Sequence, residues 1–202
     1  MNGDFLEHYF TNNDNLKSEL KKLDYEINSS HFTFFSDNGV FSKDRIDFGS
    51  RALIENILEH ENRVELKVLD VGCGYGLIGI VLARFLKADV TMSDINKRAM
   101  HLAERNMKEN KVTCEIVESS TYQQIKKKYD LIVTNPPIRA GKDIVLDILE
   151  NAQHYLNPGG TLWFVMKKDH GVKSILRELE PIYHLDILEK RKGFYIVRAQ
   201  KD

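Results

Sequence analysis

The chain has 202 residues, with 29 Lys+Arg against 30 Asp+Glu and 42% hydrophobic residues, which fits one globular domain with a sizeable core. These numbers exclude a disordered tail and a disulfide-held miniprotein, and a formal charge of -1 excludes a protein that grips nucleic acid by bulk electrostatics. A local basic face stays compatible with that average.

Residues 1–30 are polar, rich in Asn, Lys and Glu, and are expected to decorate the core as a short N-terminal extension, with His8 to Phe10 as its main apolar group. The opening MNGDFLEHYF has neither the positive n-region nor the apolar h-region of a signal peptide. From Phe32 the stretch FTFFSDNGVFS alternates around Asp37-Asn38-Gly39, which predicts two short strands joined by a hairpin turn. A helix follows, with Ser50 as its cap and Leu53, Ile54, Ile57 and Leu58 at helical spacing.

After residue 65 strands and helices alternate. Strands are expected at 66–72, 89–94, 113–118, 129–135 and 161–167, and helices at 76–87, 96–110, 119–127 and 142–156. This order implies right-handed crossovers and a mostly parallel sheet covered on both faces. A further helix near 170–180 precedes IYHLDILEK and GFYIVRAQK, read as a closing antiparallel hairpin. The longest apolar stretch, Leu77 to Ala83, is far short of the roughly 18 residues of a membrane span. Cys73 and Cys114 show no CxxC spacing and the seven histidines no ligand spacing, so the expectation is reduced thiols, a cytoplasmic protein and no metal site.

The segment from Val68 to Gly79 carries two framings. From Gly74 it is GYGLIG, a dinucleotide fingerprint with Asp94 placed 20 positions later as the ribose acid. From Asp70 it is D-x-G-x-G-x-G, in which a carboxylate at the strand end suits a cofactor with a cationic amino-acid tail and repels a pyrophosphate. The glycines admit close approach of the backbone in either frame, and turn geometry alone also uses them. Asp94 falls at the carboxyl end of the next strand, where open sheets bind ligands, and Asn96 suits the helix cap, which leaves Asp94 freer for a ribose diol.

The fourth strand runs into Asn135-Pro136-Pro137-Ile138-Arg139-Ala140-Gly141-Lys142. Two prolines stiffen the backbone and remove two donors, so nearby carbonyls and the Asn135 side chain become fixed acceptors suited to an NH2 group. A rigid strand exit is the plain alternative. Asn157-Pro158-Gly159-Gly160 reads as an ordinary turn before the fifth strand.

Asp70-x-Gly72-x-Gly74-x-Gly76, Asp94, Asn135-Pro136-Pro137 and Pro158-Gly159-Gly160 together resemble a class I S-adenosylmethionine-dependent methyltransferase over about residues 30 to 200. Gly39-Val40-Phe41-Ser42, Asp47-Phe48-Gly49-Ser50 and NPPIRAGK are similar to its methyltransferase small-domain family, which includes bacterial ribosomal RNA guanine-N2 methyltransferases. The resemblance is to the short, single-domain members. It implies an α/β Rossmann-like fold, a seven-stranded mostly parallel sheet with helices on both faces and a C-terminal antiparallel hairpin, with the methyltransferase domain at 31–202.

For the site, the resemblance implies S-adenosyl-L-methionine as cofactor and S-adenosyl-L-homocysteine as product. Gly72, Gly74 and Gly76 would pass beneath the methionine part, with Asp70 near its amino end, Asp94 on the ribose hydroxyls, Ile95 on the adenine, and Ser119 or Ser120 near the adenine amine. Asn135, Pro136 and Pro137 would be catalytic, Asn135 also bordering the cofactor, with ribosomal RNA or a ribosomal subunit as substrate partner. The broader amino-methyltransferase pattern has Tyr or Phe where this chain has Ile138, so Phe41 is the expected substitute for base stacking, and Arg139 and Lys142 could meet phosphates. Lys126 to Lys128, Lys167-Lys168 and Lys190 to Lys192 could form an RNA face or be solvated loops. Glutamine or adenine amino methylation and a silent cofactor- or RNA-binding domain are the competing readings. The two parts of the chain differ in charge: residues 1–120 hold 20 acidic and 15 basic side chains, and residues 121–202 hold 10 and 14.

Overall fold

In the computed structural model, which describes residues 17–201, the punctuated apolar runs build one seven-stranded sheet. The strands are β3 (Lys67–Val71), β4 (Asp89–Asp94), β5 (Glu115–Glu118), β6 (Tyr129–Thr134), β7 (Leu156–Lys167), β8 (His184–Arg191) and β9 (Phe194–Gln200). Their order is β5-β4-β3-β6-β7-β9-β8, the first five parallel and the closing hairpin antiparallel. The expected Rossmann-like architecture is therefore the one observed. Successive residues of the central strands enter opposite cores: Val68 and Leu131 face one, Leu69 and Ile132 the other. Burial on both sides explains why these strands read as continuous apolar runs.

One face is covered by α1 (Phe48–His60), α2 (Leu77–Leu86) and α3 (Lys97–Glu109), the other by α4 (Lys142–Tyr155) and α5 (Val172–Leu179). The chain builds β3, β4 and β5 outward in one direction, then returns to lay β6 and β7 on the other side of β3. That reversal between β3 and β6 opens a crevice at their carboxyl ends, the place where open α/β sheets bind ligands.

Four local expectations are corrected. The N-terminal hairpin is β1 (Lys21–Ile27) and β2 (Ser30–Ser36), turning at Asn28 and Ser29 with φ of 46° and 59°. Two positive φ values match the twist of a two-residue hairpin, whereas Asp37-Asn38-Gly39 bends the chain out of β2 into a loop. A boundary at residue 30 thus cuts a hairpin whose Leu23, Tyr25 and Ile27 are buried with the main core; His8 to Phe10 lie outside the described residues. The cap of α1 is Asp47, which accepts from the Ser50 backbone N at 2.8 Å. Residues 119–127 form turns, not a helix: Tyr122 and Ile125 are buried, and the Ser119 hydroxyl accepts from Gln124 N at 3.1 Å. Finally, Asn157 to Gly160 is an excursion within β7, since Tyr129 pairs with Leu156 and Leu131 with Thr161.

Two asparagines one turn apart, Asn106 on α3 and Asn110 at its C-cap, hold the hairpin. Asn106 accepts from Phe35 N at 2.7 Å and donates to Phe35 O at 3.0 Å, while Asn110 accepts from Thr33 N at 3.1 Å and donates to Thr33 O at 2.7 Å. Their side-chain amides satisfy the free edge of β2 as a neighbouring strand would. Asn106 also donates to Tyr75 O at 2.8 Å, tying the hairpin to the glycine loop.

Candidate active site

The crevice encloses a cavity of about 560 Å³, lined by the loops after β2, β3, β4, β5 and β6 and the end of β7. Gly72, Gly74, Asp94, Ile95, Ser119, Ser120, Asn135, Pro136, Pro137, Phe41, Ile138 and Arg139 all border it. Asp70, Gly76 and Lys142 do not.

The glycine loop divides by task. Gly72 (φ +70°) and Gly74 (φ +56°) have nothing within 4 Å of an added Cβ, so they present bare backbone to the cavity in a conformation that favours glycine. Gly76 instead packs: a Cβ there would lie 3.1 Å from Ile80 Cδ1 and 3.2 Å from Ala103 Cβ. Gly79 lets α2 press on β4, with Met92 Cγ 2.7 Å from an added Cβ. The loop is held from β4, since Gly72 N and Cys73 N both donate to Ser93 O at 2.8 and 3.0 Å.

Asp94 and Asp70 have different roles. Asp94 brackets the loop, its Oδ2 accepting from Gly74 N and its Oδ1 from Asn96 N, each at 2.8 Å. The expectation of a freer Asp94 is therefore adjusted: both oxygens are engaged by backbone N–H groups, although a carboxylate has about four acceptor positions and is not filled by them. Asn96 caps α3 by accepting from Ala99 N at 3.2 Å, and donates to Gly39 O at 3.1 Å, which draws the β2 loop over the cavity. Asp70 is buried behind the loop. Its Oδ2 accepts from Gly79 N at 2.9 Å, Oδ1 has no partner, and burial pushes its carboxyl up to about 7.

At the other wall, Asn135 is oriented by groups 85 and 88 residues away. Its Nδ2 donates to Asp47 Oδ2 at 3.0 Å and to Ser50 Oγ at 2.9 Å. A carboxylate only accepts, so the amide orientation is fixed by chemistry, and Oδ1 is turned away from the clamp. Among the described residues nothing donates to Asn135 Oδ1 or to the Pro136 carbonyl, whereas Pro137 O accepts from Ala140 N at 2.9 Å. Both of these acceptors, Asn135 Oδ1 and the Pro136 carbonyl, belong to residues that line the cavity.

Aromatic rings stand at the mouth. Phe41 is 51% exposed. Phe194, at the start of β9, lines the cavity, packs against Phe48 in a tilted pair with ring centres 5.4 Å apart, and lies 2.9 Å from a Cβ built on Gly49. Sequence reading did not single out Phe194, because only the return of the closing hairpin brings it here. Lys142, expected to meet phosphate, is paired with Glu178 and hydrogen-bonded to Ser174. Ser119 spends its hydroxyl within its own loop, which makes Ser120 the freer of the two serines. Among the described residues no His/Cys/Asp/Glu group could hold a metal, and no helix is long and apolar enough to cross a membrane.

The cavity fits S-adenosylmethionine: two glycines without side chains form an open cradle, acidic groups lie beneath it, and the volume is in the range of cofactor pockets. Comparison with known proteins agrees. A family model described as methyltransferase small domain matches residues 31–198. The chain is 40% identical to the uncharacterized protein YbxB of Bacillus subtilis over 200 residues, 96% of this chain and 98% of that one. It is 35% identical to ribosomal RNA small subunit methyltransferase C of Haemophilus influenzae over 153 residues, 73% of this chain and 46% of that protein, so it spans about half the length of that relative. The solved structure of the T. thermophilus 16S rRNA N2 methyltransferase RsmC, in complex with AdoMet and guanosine, superimposes with a TM-score of 0.82 at 25% identity, covering 93% of this chain and 52% of that one. The chain belongs to the methyltransferase small-domain family.

Proposed function

We propose that the chain transfers a methyl group from S-adenosylmethionine to an exocyclic amine, the N2 of a guanine in ribosomal RNA. The observation that carries this reading is the Asn135 amide, clamped through its Nδ2 by Asp47 and Ser50, in a residue that lines the cavity together with Pro136. The names of the RsmC relatives, which act on small-subunit ribosomal RNA, support the substrate class.

When bound, S-adenosylmethionine supplies a methyl group on a cationic sulfur that departs as S-adenosylhomocysteine. Gly72 and Gly74 admit the cofactor's chain close to the backbone, and Asp94 meets the ribose hydroxyls with its remaining acceptor positions. Asn135 Oδ1 and the Pro136 carbonyl accept the two N–H groups of the guanine amine. That pairing localises its lone pair on nitrogen and offsets the positive charge that grows there during transfer. Holding amine and sulfur in line removes the entropy of a bimolecular encounter. No strong general base is needed, because the methylated amine is acidic enough to release its proton to water. Phe41 covers the base at the mouth, and Ile138 packs against its edge.

Mass spectrometry of ribosomal RNA nucleosides from cells lacking the gene tests the reading. Loss of one N2-methylguanosine, restored by the wild-type gene, is the expected result. An unchanged nucleoside profile would overturn it in favour of a protein substrate or a silent domain.

A further inference from the structure

The sequence contains three lysine runs, and the fold sends them to different places. Lys126 to Lys128 precede β6 at the amino ends of the parallel strands, opposite the cavity, and Lys127 is paired with Glu115 there at 2.6 Å. The other two converge at the mouth. Lys167 is opposite Phe194 in the β7–β9 ladder, and Lys168 N donates to Gly193 O at 2.7 Å, which sets Lys168 against the β8–β9 turn. Lys192, in that turn, holds its Nζ 4.8 Å from the Phe48 ring centre.

Among the described residues Lys167, Lys168 and Lys192 make no ion pair, whereas Arg191 between them is occupied by Glu55 and Glu189. Asp169 follows in the same short turn, so the rim stays net positive. Lys168 and Lys192 are exposed, and Lys167 itself borders the cavity. The Lys192 ammonium lies against the Phe48 ring, Phe48 packs on Phe194, and Phe194 lines the cavity together with Lys167 and Asn135.

We propose that this rim, Lys167, Lys168 and Lys192, is the surface that holds the phosphodiester backbone of single-stranded RNA while one base enters the cavity. The inference rests on the RNA reading given above. A base can present its amine to the recessed Asn135 only after leaving a helical stack, so the strand at the mouth is unpaired and its phosphates face outward. Cations outside and aromatic surface inside match that arrangement, because phosphates seek the first and base faces the second.

The test compares Lys167→Gln/Lys168→Gln/Lys192→Gln with Lys126→Gln/Lys127→Gln/Lys128→Gln at the opposite end. The probe is a fluorescein-labelled, guanine-containing single-stranded oligoribonucleotide of about 12 nucleotides. Its affinity is followed by anisotropy across a salt series, with S-adenosylhomocysteine binding as the check on folding. Each lysine that neutralises a phosphate contributes about 0.7 to the slope of log affinity against log salt, so the rim variant should lose about 2 and the opposite-end variant nothing. Lys192→Gln alone, at an exposed turn, should lose about 0.7 and carries the test if the triple variant does not fold. Equal slopes in both triple variants, or an unchanged slope in Lys192→Gln, overturn the rim. If N2-methylguanosine is still lost from cells lacking the gene, the rim alone has failed. A wild-type chain that binds no oligoribonucleotide, together with an unchanged nucleoside profile in cells lacking the gene, overturns both readings, and preference for an acidic peptide over the oligoribonucleotide also overturns the rim.

Discussion

Replacing Asp47 by alanine should separate cofactor binding from methyl transfer. A single oxygen, Oδ2, accepts from Ser50 N at 2.8 Å and from Asn135 Nδ2 at 3.0 Å. Losing the first removes the cap of α1, worth about 1 kcal/mol. The second is a bond to a charged group, worth about 1.5–3 kcal/mol when enclosed and nearer about 1 at this partly exposed site. That holds the inverted amide to about a sixth of the population, since about 1 kcal/mol is a factor of about five. Without Asp47 the remaining partner is the Ser50 hydroxyl, 2.9 Å away, which donates or accepts with equal ease. Both amide orientations then become populated and the side chain loses one of its two tethers. The expected turnover loss is about ten- to hundredfold, the scale of a misplacement of about 1 Å. The melting temperature should fall by about 2–4 °C for each kcal/mol of lost stability. Labelled methyl incorporation into ribosomal RNA from cells lacking the gene gives kcat, and calorimetry gives cofactor affinity. Wild-type kcat in Asp47→Ala, or a loss confined to cofactor affinity, would refute the clamp.

Two further outcomes test the surroundings of the site. Asn106→Ala strands Phe35 N, Phe35 O and Tyr75 O, and at about 1–3 kcal/mol for each unpaired group, reduced by water entry, it should cost on the order of 3 kcal/mol in urea denaturation. A loss below about 1 kcal/mol would contradict the account of how β2 is held. Burial raises the Asp70 carboxyl from 3.8 to about 7, so between those values the folded chain keeps a proton that the unfolded chain releases. Stability from this group is therefore undiminished at low pH, falls as pH rises through the window, and is fully reduced above about 7. Asp70→Asn should flatten that slope and raise stability at alkaline pH; an unaltered pH profile of thermal melting would count against it.

Much of the frame was legible locally. Central strands such as β3 and β6 are apolar on successive residues because both faces are buried, and the Asp70 to Gly76 loop, Asp94 and Asn135-Pro136-Pro137 each sit within a few residues of a strand end. The hairpin was misread for a physical reason. KKLDYEI carries charge on its open face, and its turn uses Asn28-Ser29, whereas the Gly39 signal belongs to the loop that follows.

Local sequence carries the alternation of the parallel strands with most of their helices, the strand-end loops, and the stiffness of Asn-Pro-Pro, because these are consequences of neighbours a few residues apart. Only the tertiary structure decided which of those residues face the cavity. It put Asp70 and Gly76 behind the loop, joined Asp47 and Ser50 to Asn135, brought Phe194 to the mouth, and sent the lysine runs to opposite ends of the sheet. Such contacts depend on where the β3–β6 reversal and the closing hairpin place distant strands, and spacing along the chain does not encode that.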